Sequence, residues 1–414
     1  MIVVAPSSQT SRKTKWALFL SGLLSEPLIG LIAILPFILR KDLHASAFQI
    51  SIFNMVKPAV ALLSFYWGAV LWRNRQSLRL NWIASKLLAS LPFLIFPFVQ
   101  NIWFFIVVTA LFQFFQRGGM PAQMEILKQS IPPGARENFF SWSSAFNFLG
   151  GVVIGMLSLG IWMNASDWKI LFFISALIGL LAVLIQMSIP IDTSKVTAEP
   201  RRKNPLITPW KDSWNLLRQR PDFARFQIGF MMGGIGLMLI MPALVLYAAD
   251  DLAISHVDMT MSRFVWMGLG FVLATPFWRK KIGLPGIYSI TAIVCLLFAA
   301  SALCWILAGL GLAWFFFAYF LYGVAQAGSH LIWHLSGPLF AGSGDSSLFS
   351  TVNILTVGLR GLIVPFMAGF LCNWIGPLPV LGMGLVWCLA GSIYLFAQKK
   401  QETIGLINAP DTAI

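Results

Sequence analysis

The stretch Ile191–Asp222, IDTSKVTAEPRRKNPLITPWKDSWNLLRQRPD, is the one long polar run between two apolar blocks of nearly equal size. It carries Lys195, Arg201, Arg202, Lys203, Lys211, Arg218 and Arg220. Thr208 and Pro209 have the pattern of a helix N-cap and first helical position. Trp210, Trp214 and Leu217 then recur on one face, Lys211, Asp212, Asn215 and Arg218 fall elsewhere, and Pro221 ends the run. The reading is a short amphipathic helix lying on a membrane surface. Its alternative is a disordered charged linker, because so short a helix is marginal without a surface to lie on. The stretch divides the chain into residues 1–190, a linker at 191–222 and residues 223–414.

Composition fixes what surrounds the linker. The 414 residues are 58% hydrophobic and only 11% charged, which excludes an ordinary soluble domain. Apolar runs near the length of a bilayer crossing recur from end to end. In lipid only helices and closed barrels satisfy their backbone, and these runs are too long and too uniformly apolar for barrel strands. The fold class expected is an all-α membrane protein of twelve transmembrane helices. The net charge of +14 invites a nucleic-acid reading. The excess sits in short loops on one side of the proposed membrane, which argues against nucleic acid and for topology. Cys295, Cys304, Cys372 and Cys388 lie in or at the ends of apolar runs and show no disulfide or metal spacing. The first span follows Arg12, Lys13 and Lys15 and continues too long for a cleaved signal.

Twelve spans are read at about 16–39, 49–71, 80–99, 102–126, 138–162, 168–190, 223–248, 258–277, 286–308, 312–340, 347–371 and 377–397. Lys and Arg orient them. With the N-terminus inside, the inner side holds Arg12, Lys13, Lys15, Arg73, Arg75, Arg79, Lys128, Arg136, the linker cluster, Arg225, Arg279, Lys280, Lys281, Lys399 and Lys400. The outer side holds only Arg40, Lys41 and Lys169, with Asp250, Asp251 and Asp258. Both termini are therefore expected in the cytoplasm.

The halves echo each other. Pro36, Asp42-Leu43 and Ser46 near the end of the first span match Pro242, Asp251-Leu252 and Ser255 near the end of the seventh. Leu71-Trp72-Arg73 matches Phe277-Trp278-Arg279, and Trp103-Phe104-Phe105 with Gly118 matches Trp314-Phe315-Phe316 with Gly328. Phe139-Phe140-Ser141 matches Leu348-Phe349-Ser350. Six plus six spans, a basic linker and related halves resemble the major facilitator superfamily over about residues 15–398. In the loop after span two, Gly68, Arg73, Arg75 and Arg79 fit the family pattern, and Trp72 stands where the family has an Asp. Pro132-Pro133 and Arg136 after span four also resemble it. The resemblance implies two pseudo-symmetric six-helix bundles rocking about a central site. It gives Arg73 and Arg136 a gating or structural part.

Charges inside spans are costly and mark candidate sites. Glu26, Lys57, Lys86, Arg117, Arg263 and Arg360 lie well inside, with Glu125 near the inner end of span four. Glu26 is the one deep acid. It either carries a coupling proton or forms a permanent salt bridge with Lys57 or Arg360. Lys57, Arg117 and Arg360 outnumber the acids at that depth, which favours an anionic ligand; their alternative is pairing with helix ends and internal water. Lys86 reads as a structural residue snorkelling inward. Arg263 either closes an outer gate or packs. His330 and His334, beside Gln326, make a polar face on span ten; no third zinc ligand is evident. Gly150, Gly151 and Gly155 on span five suit a close helix contact, but the Pro that drug antiporters of the family usually carry there is missing. Asn164-Ala165-Ser166 is a glycosylation sequon in an outer loop, and short loops favour a bacterial inner membrane.

The function expected is secondary transport, by proton symport, of a small organic anion, a carboxylate or phosphorylated metabolite. Arg117, Arg360, Lys57, His330, His334 and Gln326 would line its site and Glu26 would carry the proton. No catalytic residue, cofactor, metal or nucleic acid is expected. The partners are the solute, protons and the bilayer, and the protein is expected to be a monomer. The alternatives are an efflux or lipid-handling member of the family and, from another class, an integral-membrane enzyme using His330 and His334 as acid and base.

Overall fold

A computed structural model describes residues 8–71, 78–130, 143, 146, 150, 167–189, 207–281, 286–341 and 347–407. Those residues are almost wholly helical, and ten helices among them are long and apolar enough to cross a membrane. In chain order the α-helices begin with α1 (Ser8–Leu43), α2 (Ala47–Leu71), α3 (Leu78–Ser90), α4 (Ile102–Ser130) and α5 (Trp168–Met187). After the linker come α6 (Thr208–Gln219), α7 (Pro221–Leu246), α8 (His256–Thr260), α9 (Met267–Lys281) and α10 (Ile287–Leu307). The chain closes with α11 (Leu312–Ala341), α12 (Ser347–Ile375) and α13 (Pro377–Ile407). All of the fifth expected span but residues 143, 146 and 150, together with the sequon and the charged run of the linker, lies outside the described residues.

The third and eighth spans depart from plain α-helix, the third where the sequence gives a physical cause. The third continues from α3 as a 3-10 helix over Leu91–Phe98, where Pro92 and Pro97 remove backbone donors. The eighth begins with α8 and passes through a π-helical turn, Met261–Trp266, before α9. The linker helix starts one residue earlier than its sequence pattern implied. Ile207 occupies the cap position without a side-chain bond, so Thr208 is the first helical residue and Pro209 the second.

The chain forms two compact units, Met1–Pro205 with Ile254–Val265, and Leu206–Ala253 with Trp266–Ile414. In the first, α1 packs on α5, and α4 packs on both α2 and α3. Its best-buried aromatic residues are Trp82, Phe93, Phe96, Phe105 and Phe172. Phe96 meets Phe105 edge-on at 4.7 Å, and Phe93 stacks on Phe172 at 6.1 Å. In the second unit, α7 packs against α13 through small residues on both sides. A side chain at Gly236 would meet the Gly384 carbonyl at 2.5 Å, and one at Gly391 would meet the Gly233 nitrogen at 2.7 Å. Lipid offers no hydrophobic drive between helices, so such close backbone contact is what holds the pair.

The internal repeat becomes geometry at two turns. Asp42-Leu43-His44-Ala45-Ser46 ends α1, and Asp251-Leu252-Ala253-Ile254-Ser255 follows the π-helical turn Tyr247–Asp251 that extends α7. The third residue of each is left-handed, His44 at φ 54° and Ala253 at φ 48°. The closing serine then caps the next helix. Ser46 Oγ accepts from the Gln49 N–H at 3.2 Å and Ser255 Oγ from the Asp258 N–H at 3.0 Å. The side chain of Gln49 returns to the Ser46 N–H at 2.9 Å, completing a capping box.

Candidate functional site

The first unit gathers five of the deep charges. Glu26 on α1 and Lys57 on α2 each stand immediately before a proline inside the helix, Pro27 and Pro58. A proline has no N–H to give to the carbonyl four residues back, so both charges sit beside a gap in the helix hydrogen bonding. Arg117 on α4 is set by its neighbours. Gly119 lets α4 approach Trp82 and Ser85 of α3. Arg117 lies two residues away, about 200° round the helix, and so faces away from α3. Lys57 is exposed and Arg117 half-buried, and neither makes a hydrogen bond or ion pair with another described residue. The charges of Arg117 and Arg263 both bear on Lys57.

Lys86 takes a different course from the inward-snorkelling residue its sequence position predicts. Its ammonium donates to Gln116 Oε1 of α4 at 2.5 Å. It lines a cavity with room for about one water molecule, among Ser25, Ser90, Gln116 and Gln186. Gln186 Oε1 in that wall is buried without a described partner. An apolar setting makes such an amide bond worth keeping, since the released ammonium would be left unsatisfied. Glu26 follows Ser25 on α1, and the cations whose charge bears on it are Lys86 first and Arg263 second. Lys57 and Arg360, the partners considered from sequence, are not among them. Glu26 forms no ion pair with any described residue.

Arg263 owes its place to the docking of residues 254–265 on α1. The Phe264 ring lies against Gly30, where a Cβ would meet Cε1 at 2.5 Å. Gly30 is one helical turn from Glu26, which puts Arg263 on the same side of α1 as the acid. Further along α1, Asp42 pairs with His256 at 2.9 Å and the Phe37 ring meets the His256 ring at 5.8 Å. Lys41 donates to the Ile254 carbonyl. Together these contacts clasp the start of α8 to the end of α1.

In the second unit, Arg360 on α12 is buried, with 8% of its surface exposed. Its Nη1 donates to the carbonyls of Phe230 at 3.0 Å and Met231 at 3.3 Å, and the guanidinium stands 5.6 Å over the Phe230 ring. The group rests on Gly234 of α7, where any Cβ would overlap it. On α11, Tyr322, Gln326, His330 and His334 follow one another at four-residue steps from the buried side of the helix to the exposed side. Gln326 donates to the Tyr322 hydroxyl at 2.5 Å, and the two imidazole rings lie 4.7 Å apart. The His330 ring also meets Phe271 of α9 at 6.3 Å.

Some polar groups escaped the sequence reading. Gln227 donates to Asn353, and Asn353 donates to Ser336 at 2.9 Å, all three buried among α7, α11 and α12. Gln116 and Gln186 belong to the same class. The available signal was an amide inside an apolar span, which costs enough in lipid to require a partner. Arg73 and Arg136 lie outside the described residues, as does the Glu125 side chain.

Ten helices this long and apolar among the described residues, with charges inside them, define a polytopic helical membrane protein rather than a soluble domain. The sequence profile of the Major Facilitator Superfamily matches residues 17–343. Among solved structures, the nucleoside transporter NupG aligns at TM-score 0.68 with 13% identity, over 92% of this chain and 98% of that one. A bacterial homologue of the human lysosomal transporter Spinster, in an inward-facing and unoccupied conformation, aligns at 0.61 with 15% identity, over 95% and 96%. No curated protein matches the chain in sequence. The chain belongs to the major facilitator superfamily.

Proposed function

We propose that the protein moves a small organic anion across the membrane by alternating access, coupled to protons. Arg117 and Lys57 hold the anion, and Glu26 takes up and releases the proton. The observation that carries this reading is that pair of cations. They stand on α4 and α2, which pack together, the charge of Arg117 bears on Lys57, and no described acid partners either. Like charges held together in a low dielectric favour a bound anion. Arg117 offers a planar fork suited to carboxylate or phosphate. Lys86 and Arg263 set the charge around Glu26. Arg360 anchors α12 to α7 in the other unit and positions it. Residues 1–190 and 223–414 act as the two pseudo-symmetric halves, joined by the cytoplasmic linker at 191–222. The setting is a bacterial inner membrane, with both termini in the cytoplasm.

A second reading rests on the α11 line of Tyr322, Gln326, His330 and His334. Ring faces and amide bonds suit a polar solute carrying an aromatic ring, such as a nucleoside, without any need for negative charge.

Uptake of labelled candidate solutes into proteoliposomes under an imposed proton gradient tests the coupling. Glu26→Gln abolishes gradient-driven accumulation while exchange of labelled for unlabelled solute persists. Undiminished accumulation in that variant removes Glu26 from the mechanism. Transport of a neutral ring solute in preference to every anion favours the second reading.

A further inference from the structure

The linker helix α6 has a face that the transport reading leaves unused. Pro209, Ser213 and Leu216 are buried, and α6 packs on α12 and α7 of its own unit. On an ideal helix these three span an arc of about 60°. Next to that arc stand Trp210 and Trp214, 40% and 58% exposed. Lys211 and Arg218 come next, both exposed, with the Arg218 guanidinium 5.1 Å over the Trp214 ring. Asp212, the one acid of α6, is on the far side, about 160° from Trp214.

The depth of this face is fixed. α6 ends at Gln219 and the membrane-crossing α7 begins at Pro221, so only Arg220 separates them. Arg220 locks the corner. It grips the Asp222 carboxylate with Nε at 3.0 Å and Nη2 at 2.7 Å, and Nη2 also donates to the Phe340 carbonyl at 3.1 Å. A helix joined to a span through one braced residue lies at the level where the span leaves the hydrocarbon. Indoles are favoured at that level, and flanking ammonium and guanidinium groups meet phosphates there.

We propose that the Trp210–Trp214 face of α6 docks on the adjacent leaflet and that Lys211 and Arg218 bind anionic phospholipid headgroups. Charge complementarity selects the occupant. Aromatic rings reach the acyl boundary, cations lie beside them at headgroup height, and the lone carboxylate is turned away. A protein partner is the competing occupant and would not need this order of ring, cation and acid around the helix.

The test uses the full chain in vesicles of phosphatidylcholine alone and of phosphatidylcholine with phosphatidylglycerol. Asn215→Cys carries an environment-sensitive fluorophore; the four native cysteines are buried, so brief labelling is selective. The label shifts to the blue when phosphatidylglycerol is present, and raising the salt reverses much of the shift, because exposed ion pairs are screened. Lys211→Gln with Arg218→Gln removes most of the phosphatidylglycerol response. Trp210→Ala with Trp214→Ala moves the emission to the red in both lipids. Should those variants lose their fold, collisional quenching of the same label by spin-labelled lipid in the otherwise unchanged chain gives the answer. Equal emission in the two lipids, or a quadruple variant that responds as the parent does, overturns the proposal.

Discussion

Arg117 and Arg360 are matched in the sequence and different in the structure. Each stands near the middle of a long apolar helix. Arg360 is engaged within its own unit: Nη1 is bonded to two carbonyls of α7, the plane covers Phe230, Gly234 makes room for it, and Nε is buried with no described partner. Arg117 is half-buried, faces away from α3 and makes no hydrogen bond or ion pair with a described residue. A guanidinium bonded to helix carbonyls has exchanged its hydration for protein, and its removal costs stability. One that is only partly desolvated keeps its donors for a ligand, and its removal costs binding. Depth in a span therefore says that a charge matters, and its partners say how.

The contrast is broken most easily through stability in detergent. Arg360→Ala leaves a cavity and loses the carbonyl bonds, and it is expected to destabilise the protein by about 3 kcal/mol. Gly234→Ala, which pushes a methyl into the guanidinium, costs about 1–3 kcal/mol through overpacking. Arg117→Ala stays within about 0.5 kcal/mol of the parent. Equal losses at Arg117 and Arg360 in thermal or denaturant unfolding would erase the distinction between them.

A smaller effect separates the two repeated turns. The turn after α1 supplies Asp42 to His256, whereas the turn after α7 has no such pair from Asp251 among the described residues. Asp42→Asn is expected to loosen residues 254–265 from α1 by about 0.5–1 kcal/mol, the scale of a partly exposed ion pair. Ile254 is buried. Ile254→Cys should therefore react with an impermeant thiol reagent about two- to fivefold faster when Asp42→Asn is added, the same free energy read as a rate. Asp251→Asn should leave that rate unchanged.

The helices were legible because apolar run length and the lysine and arginine bias are properties of the chain itself. α4, α11 and α12 begin where their apolar runs begin, and the Asp-Leu repeat reappears as two left-handed turns. The linker helix was legible from Trp210, Trp214 and Pro209. The partners of the deep charges were not, because a span shows its own residues but not the helix packed against it. Gln116 is an unremarked amide in a run of phenylalanines until α3 brings Lys86 to it. The π-helical turn at Met261–Trp266 is similarly unwritten in the local sequence, since its register accompanies the seating of Phe264 on Gly30. The Gly229, Gly233 and Gly236 seam of α7 has small-residue spacing like that of the glycines of span five, and only the packed α13 shows which surface it meets.

The most direct test is the affinity of the purified protein for carboxylate and phosphorylated solutes, measured in detergent for the parent, Arg117→Lys and Arg360→Lys. Arg117→Lys keeps the charge and loses the two-pronged geometry. It is expected to weaken anion binding by on the order of 1–3 kcal/mol, the scale of a charge-assisted hydrogen bond. Arg360→Lys should bind as the parent does once its lower stability is allowed for. Parent-like affinity in Arg117→Lys, or a preference of the parent for cationic solutes, would contradict the anion site.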